Sequence, residues 1–261
     1  MILEIALMRS ETPWRAGKVS KDVTVVLNGF RRPHALEAQI EAIKRQTVTP
    51  TSVMFWQNGA TQECPFDYNL LNSCILSINN QNFGVWARFA YALNAETEYV
   101  CVFDDDTIAG SKWIENCLNT IEEYNGLLGT NGVIFNDLEY QNYTQHGWAK
   151  PNEKTEQVDI VGHSWFFKRE WLGAFWSEAP LPKSKICGED MYFSYAIQKH
   201  LGLSTYVPPH PKDDLEMWGS NPEFAYRFGV DKNAISVNYH GTHFGDALKD
   251  TVEKGFKLIN I

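Results

Sequence analysis

No run of lysines and arginines longer than two residues occurs in the 261-residue chain, its five cysteines form no CxxC pair, and it has no low-complexity linker or internal repeat. Each absence removes a class of function. A net charge of −9 without a basic run argues against a protein that neutralises a nucleic-acid backbone, so an anionic ligand needs a local cation instead. Cysteines 64, 74, 101, 117 and 187 lack zinc-ligand spacing, and Cys101 lies inside an apolar run, which points to reduced thiols and a cytoplasmic setting. No stretch approaches the roughly 18 uncharged residues of a spanning helix, and the apolar start of "MILEIALMRSETPW" is interrupted by Glu4. A soluble protein with no transmembrane segment and no nucleic-acid partner is the expectation.

What is present is ample apolar material, 44% of residues hydrophobic and 13% aromatic, enough for one large core or two closely joined ones. "DVTVVLNGF" (22–30) is a β-branched run ending in a turn. "PHALEAQIEAIKRQ" follows with Pro33 in a first-turn position and Leu36, Ile40 and Ile43 on one helical face. "SVMFWQNG" (52–59) repeats the strand-to-turn pattern, "CILSI" (74–78) supplies a third apolar segment, and a helix-like stretch, 85–95, leads into "YVCVFDDD". Strands alternating with helices predict an α/β fold with a largely parallel sheet whose carboxyl ends share one edge, where ligands bind. After a predicted helix at 111–124 the pattern loosens into Asn, Gly, Tyr and Trp through about residue 156.

Asp104, Asp105 and Asp106 at a strand end are mutually repulsive and are rarely buried unpaired. A solvated acidic loop is the simplest account. A divalent cation is the other, because hard oxygen ligands suit Mg²⁺ or Mn²⁺, and such an ion usually also takes the phosphates of a nucleoside diphosphate.

The order "TVVLNGFRRP", "NNQNFGVWARFAYAL", "YVCVFDDD", "GHSWFFKREWL" and "CGEDMYFSYAIQKHLG" resembles the nucleotide-sugar glycosyltransferases of the GT-A fold, closest to glycosyltransferase family 2 with exostosin-like features in the "DDD" and "ED" segments. The resemblance spans about residues 22 to 207. It implies a Rossmann-like, mostly parallel sheet flanked by helices, in one catalytic domain (1–261) with a nucleotide-sugar-binding half (22–125) and an acceptor-binding C-terminal half (157–261). Carried over, it implies donor contacts from Asn28, Gly29, Arg31, Asn58, Asn82, Gly84, Arg88, Asp104 and Asp105, and metal binding by Asp106. Arg88 also has the plainer reading of a helix-surface ion pair. Asp190 is implied as the base that deprotonates an acceptor hydroxyl, with Glu189 orienting the acceptor, although acidic residues at a helix N-terminus also serve as simple caps.

In "NYHGTHFGD", His243 or His240 is a candidate further ligand, His243 preferred, since imidazole suits Mn²⁺. Among nine tryptophans, most of them core, Trp165 is the first candidate for stacking on a sugar. The leading expectation is a metal-dependent hexosyl- or pentosyltransferase of glycan biosynthesis, using Mn²⁺ or Mg²⁺, a UDP-linked donor and a glycan acceptor, inverting through Asp190. The alternatives are a retaining exostosin-like enzyme, a sugar nucleotidyltransferase, disfavoured because "NGFRRP" is not a Gly-rich phosphate loop, and a non-catalytic carbohydrate-binding protein.

Overall fold

The computed structural model describes residues 22–59, 65–178, 186–231, 234–235 and 243–261. The β-branched run becomes strand β1 (Val23–Gly29), buried along its whole length. It continues through a short 3₁₀ turn at Pro33–Ala35 into helix α1 (Leu36–Lys44), whose buried Leu36, Ile40 and Ile43 form the predicted stripe. Strands β2 (Ser52–Gln57) and β3 (Ile75–Ile78), helix α2 (Ala87–Ala92) and strand β4 (Tyr99–Phe103) follow as the alternation requires. β1 pairs in parallel with both β2 and β4, and β2 with β3, so these four strands end on one edge.

Helix α3 (Trp113–Tyr124) then leads into the region that looked loose. It contains strands β5 (Leu127–Phe135) and β6 (Tyr143–Gly147), followed by β7 (Glu156–Val158) and β8 (Ile160–Lys168). β5 is central despite its glycines because the neighbouring strand crowds it: a Cβ on Gly129 would stand 2.5 Å from the Ser164 carbonyl oxygen. With β9 (Thr205–Val207) the sheet order is β3-β2-β1-β4-β8-β5-β9-β7, β6 pairing with β5. β8 runs antiparallel between β4 and β5, with Phe103 opposite Ser164. That register carries the start of β8 to the edge where β4 ends.

Helices α4 (Leu172–Ser177), α5 (Glu189–Leu201), α6 (Pro222–Phe228) and α7 (His243–Glu253) complete the described chain. α5 is buried continuously from Met191 to Ile197. Its Phe193 ring lies 5.7 Å from Phe89, 4.9 Å from Phe167 and 4.7 Å from Phe175. Each such ring contributes about 1.5–3 kcal/mol by burial, which fixes the helix and therefore the acidic residues at its N-terminus. Gly188 precedes them at φ +93°, a conformation open to glycine and strained for other residues. His210 is fully buried. Its Nδ1 donates to the Pro208 carbonyl at 2.8 Å and its Nε2 accepts from Thr130 and Gly219. Burial pushes its pKa down to about 4, so it is a neutral structural group. Cys74, Cys101, Cys117 and Cys187 are free thiols, and among the described residues no helix is long and apolar enough to cross a membrane.

Candidate active site

A cavity of about 1110 Å³ opens where β1, β2 and β4 end and α5 begins. Asn28, Arg31, Asn58, Asn82, Gly84, Arg88, Asp104, Asp105, Asp106, Trp165, Glu189 and Asp190 all line it. Gly29 does not; it is glycine for packing, since a Cβ there would stand 2.5 Å from Phe55 Cζ. His243 lies outside the lining, whereas Phe244 beside it is part of the wall. His240 falls outside the described residues.

The three consecutive aspartates have three different partners. Asp104 Oδ1 meets Arg88 Nη1 at 2.8 Å. Asp105 accepts from Arg32 Nη1 at 2.6 Å and from the Phe30 backbone N–H at 3.0 Å. Asp106 faces His163 Nδ1 and Arg32 Nη1, each at 3.5 Å. Gln39 on α1 fixes the turn itself, donating to the carbonyls of Asp104 at 2.6 Å and Thr107 at 3.2 Å. Two buried arginines thus offset much of the repulsion. Arg88 is 3% exposed, so the surface-pair reading of it is corrected: its second arm, Nη2, reaches Glu189 Oε1 at 2.6 Å, and its guanidinium lies 4.6 Å from the centre of the Trp165 ring. Trp165 is itself only 2% exposed.

These environments separate the carboxyls chemically. Burial raises Asp104 against the pull of Arg88, and pushes Asp105 up to about 7 against Arg32. Burial acts on Asp106 in the same sense, but His163 and Arg32 outweigh it and the group is lowered to about 2. His163 responds in kind: burial would lower it, and the Asp106 carboxylate raises it instead. Burial pushes Glu189 up, opposed by the Arg88 guanidinium held against it at 2.6 Å, and pushes Asp190 up to about 6, opposed by the helix-end N–H groups, Met191 N among them at 2.9 Å.

Asn58 and Asn82 shape the wall by bonding each other. Asn58 Nδ2 donates to Asn82 Oδ1 at 2.9 Å and to the Gly84 carbonyl at 3.1 Å, while its Oδ1 accepts from Phe83 N at 2.8 Å. The amides hold the 82–84 loop, with Gly84 at φ +78°.

No family model and no curated protein matches the sequence. Solved structures do. The chain superimposes on S. aureus TarS 1-349 in complex with UDP with a TM-score of 0.51 at 14% identity, covering 72% of this chain and 58% of that one. For S. aureus TarS 1-349 the TM-score is 0.54 at 13% identity, covering 90% of this chain and 73% of that one. The chain has the GT-A glycosyltransferase fold.

Among the described residues, Asp104, Asp106 and His163 form a group that could hold a metal ion, their donor atoms lying within 4.8 Å of one another. The donor set fits a divalent cation: two hard carboxylates with one imidazole suit Mn²⁺ better than Mg²⁺. The lining carries five carboxyl groups (Asp104, Asp105, Asp106, Glu189, Asp190) beside three guanidiniums (Arg31, Arg32, Arg88) and His163, and of the carboxyls Asp106 alone is lowered. Sequence reasoning singled out neither His163 as a ligand nor the tie between Arg32 and Asp105. His163 adopts φ +64°, its carbonyl accepts from Asp104 N and from the Thr107 hydroxyl at 2.9 Å each, and its ring packs at a tilt of 31° against Trp148 with centroids 5.6 Å apart. Only the antiparallel β4–β8 pairing brings it beside the aspartates.

Proposed function

We propose that the chain is a metal-dependent glycosyltransferase that moves a hexosyl or pentosyl group from a UDP-linked donor to a glycan hydroxyl with inversion. The observation that carries this reading is one cavity holding both the Asp104, Asp106 and His163 group and, on the facing helix end, Asp190 with a carboxyl raised to about 6. UDP as the nucleotide is supported by the UDP bound to S. aureus TarS on the same fold.

Asp190 is ionised at neutral pH yet basic enough to take a hydroxyl proton during attack, the balance expected of a general base. A divalent cation at Asp104, Asp106 and His163 would supply charge stabilisation to the departing diphosphate. Asn28 and the exposed Arg31 border the donor end of the cavity, and among the described residues Arg31 is the lining guanidinium not engaged with an aspartate. Asp105 acts through Arg32, holding the first loop closed over β4. The test is a screen of nucleotide sugars with glycan acceptors, with and without Mn²⁺, read as release of UDP. Mn²⁺-dependent release with one donor supports the proposal, and silence across donors with no nucleotide binding contradicts it.

A further inference from the structure

We propose that Glu189 is a positioning residue for the metal pocket, acting through Arg88, and not an acceptor contact. The inference rests on the metal reading given above. Glu189 is 6% exposed, and its Oε1 is taken by Arg88 Nη2 at 2.6 Å, so little of the carboxylate faces an incoming hydroxyl. The other arm of the same guanidinium reaches Asp104, one of the three convergent ligands, at 2.8 Å. Arg88 thus occupies the ground between the end of β4 and the start of α5, one arm on each.

A guanidinium is a planar fork with a permanent charge, and its two Nη arms can each hold a different carboxylate in a fixed geometry. A dication and Arg88 on one Asp104 carboxylate repel each other at short range. Glu189 resolves the conflict, because it gives the guanidinium a second anion to lean on when the cation arrives. The flat face of Arg88 rests on Trp165 and its Nε has no hydrogen-bond partner among the described residues, so a small swing from Asp104 toward Glu189 breaks no other bond. Without the Glu189 charge, Arg88 closes onto Asp104 and competes fully with the metal.

The test is titration of the full chain with Mn²⁺ in the absence of nucleotide, following free Mn²⁺ by electron paramagnetic resonance. Wild type, Glu189→Gln, Arg88→Met and the double variant are compared, a cycle that isolates the coupling between the two positions. Arg88→Met is expected to tighten Mn²⁺ binding by about tenfold, the scale of removing one close charge at a partly buried site. Glu189→Gln is expected to weaken it by about tenfold in the wild-type background and by less than about threefold when Arg88 is already Met. Equal weakening in both backgrounds, or an Arg88→Met protein that binds Mn²⁺ no more tightly, overturns the proposal. If Arg88→Met alone does not fold, because two buried carboxylates lose their partner, the double variant decides: it must bind Mn²⁺ more tightly than Glu189→Gln, and equal or weaker binding overturns the relay. A wild-type chain that binds no Mn²⁺ removes the metal reading as well, whereas wild-type binding indifferent to Arg88 removes this inference alone.

Discussion

Replacing Asp190 by Asn separates a catalytic carboxylate from a helix-capping one. Asn keeps an oxygen that can accept the Met191 N–H, now at 2.9 Å, and so preserves the cap geometry, but it cannot take a proton from an acceptor. Loss of a positioned general base lowers turnover by about 10²–10⁴. Stability should move the opposite way. The folded-state pKa of Asp190 lies above its ordinary value of 3.8, at about 6, so its protonated form is favoured by folding: stability is fully present below about pH 4 and is lost as pH rises through about 6. The gap corresponds to at most about 3 kcal/mol at neutral pH, and Asn removes it. Asp190→Asn is therefore expected to melt several degrees higher than wild type at pH 7.5 and no higher at pH 4, with UDP affinity unchanged and sugar transfer nearly abolished. Melting curves at both pH values, a UDP titration and a transfer assay on one sample provide the check. Transfer within a few-fold of wild type, with the donor bound, would place the base elsewhere and move the mechanism toward retention; a lower melting temperature at pH 7.5 would make the carboxylate a stabilising cap.

His163→Ala should weaken Mn²⁺ binding more than His243→Ala, measured by direct Mn²⁺ titration, because His163 stands with Asp104 and Asp106 while His243 does not line the cavity; the reverse order would restore the ligand expected near the C-terminus. Arg32→Met should destabilise by about 3–5 kcal/mol in urea unfolding, since it strips the cation from the buried Asp105 carboxylate and breaks two bonds to Asp231, at 2.8 and 3.1 Å. A change below about 1 kcal/mol would mean that Asp105 is neutral, and that its pull on the first loop comes from the Phe30 N–H alone.

The parts of the fold that were legible in the sequence are those set by local pattern. β1, α1, β2 and β4 declare themselves through β-branched runs, a 3.6-residue stripe and turn residues, and their alternation implies the shared carboxyl edge where Asp104 to Asp106 stand. The parts that were not legible depend on distant partners. β5 reads as loop because Gly129 and Gly132 carry no strand signal, yet both are required by side chains and backbone of neighbouring strands. Nothing local marks Arg32 as an ion-pair residue; the fold brings Asp231, 199 positions away, against it. His163 lies within "GHSWFFKREWL", but only the register that sets Phe103 opposite Ser164 makes it a neighbour of the aspartates. Conversely, Asn58 and Asn82 line the cavity and build its wall by amide-to-loop hydrogen bonds, whereas Gly29 lies off it, packed closely on Phe55.

In the proposed mechanism the aspartate turn holds a divalent cation for a nucleotide. Calorimetric titration of UDP into wild type and Asp106→Ala, each with Mn²⁺ and with chelator, tests it most directly. Asp106 is held ionised, at about 2, beside His163 and Arg32, and is the carboxylate most ready to bind a cation. The account predicts UDP binding to wild type that strengthens at least about tenfold with Mn²⁺, worth about 1.4 kcal/mol, and an Asp106→Ala protein that folds but shows no Mn²⁺ effect. Equal UDP affinity in all four titrations would contradict it.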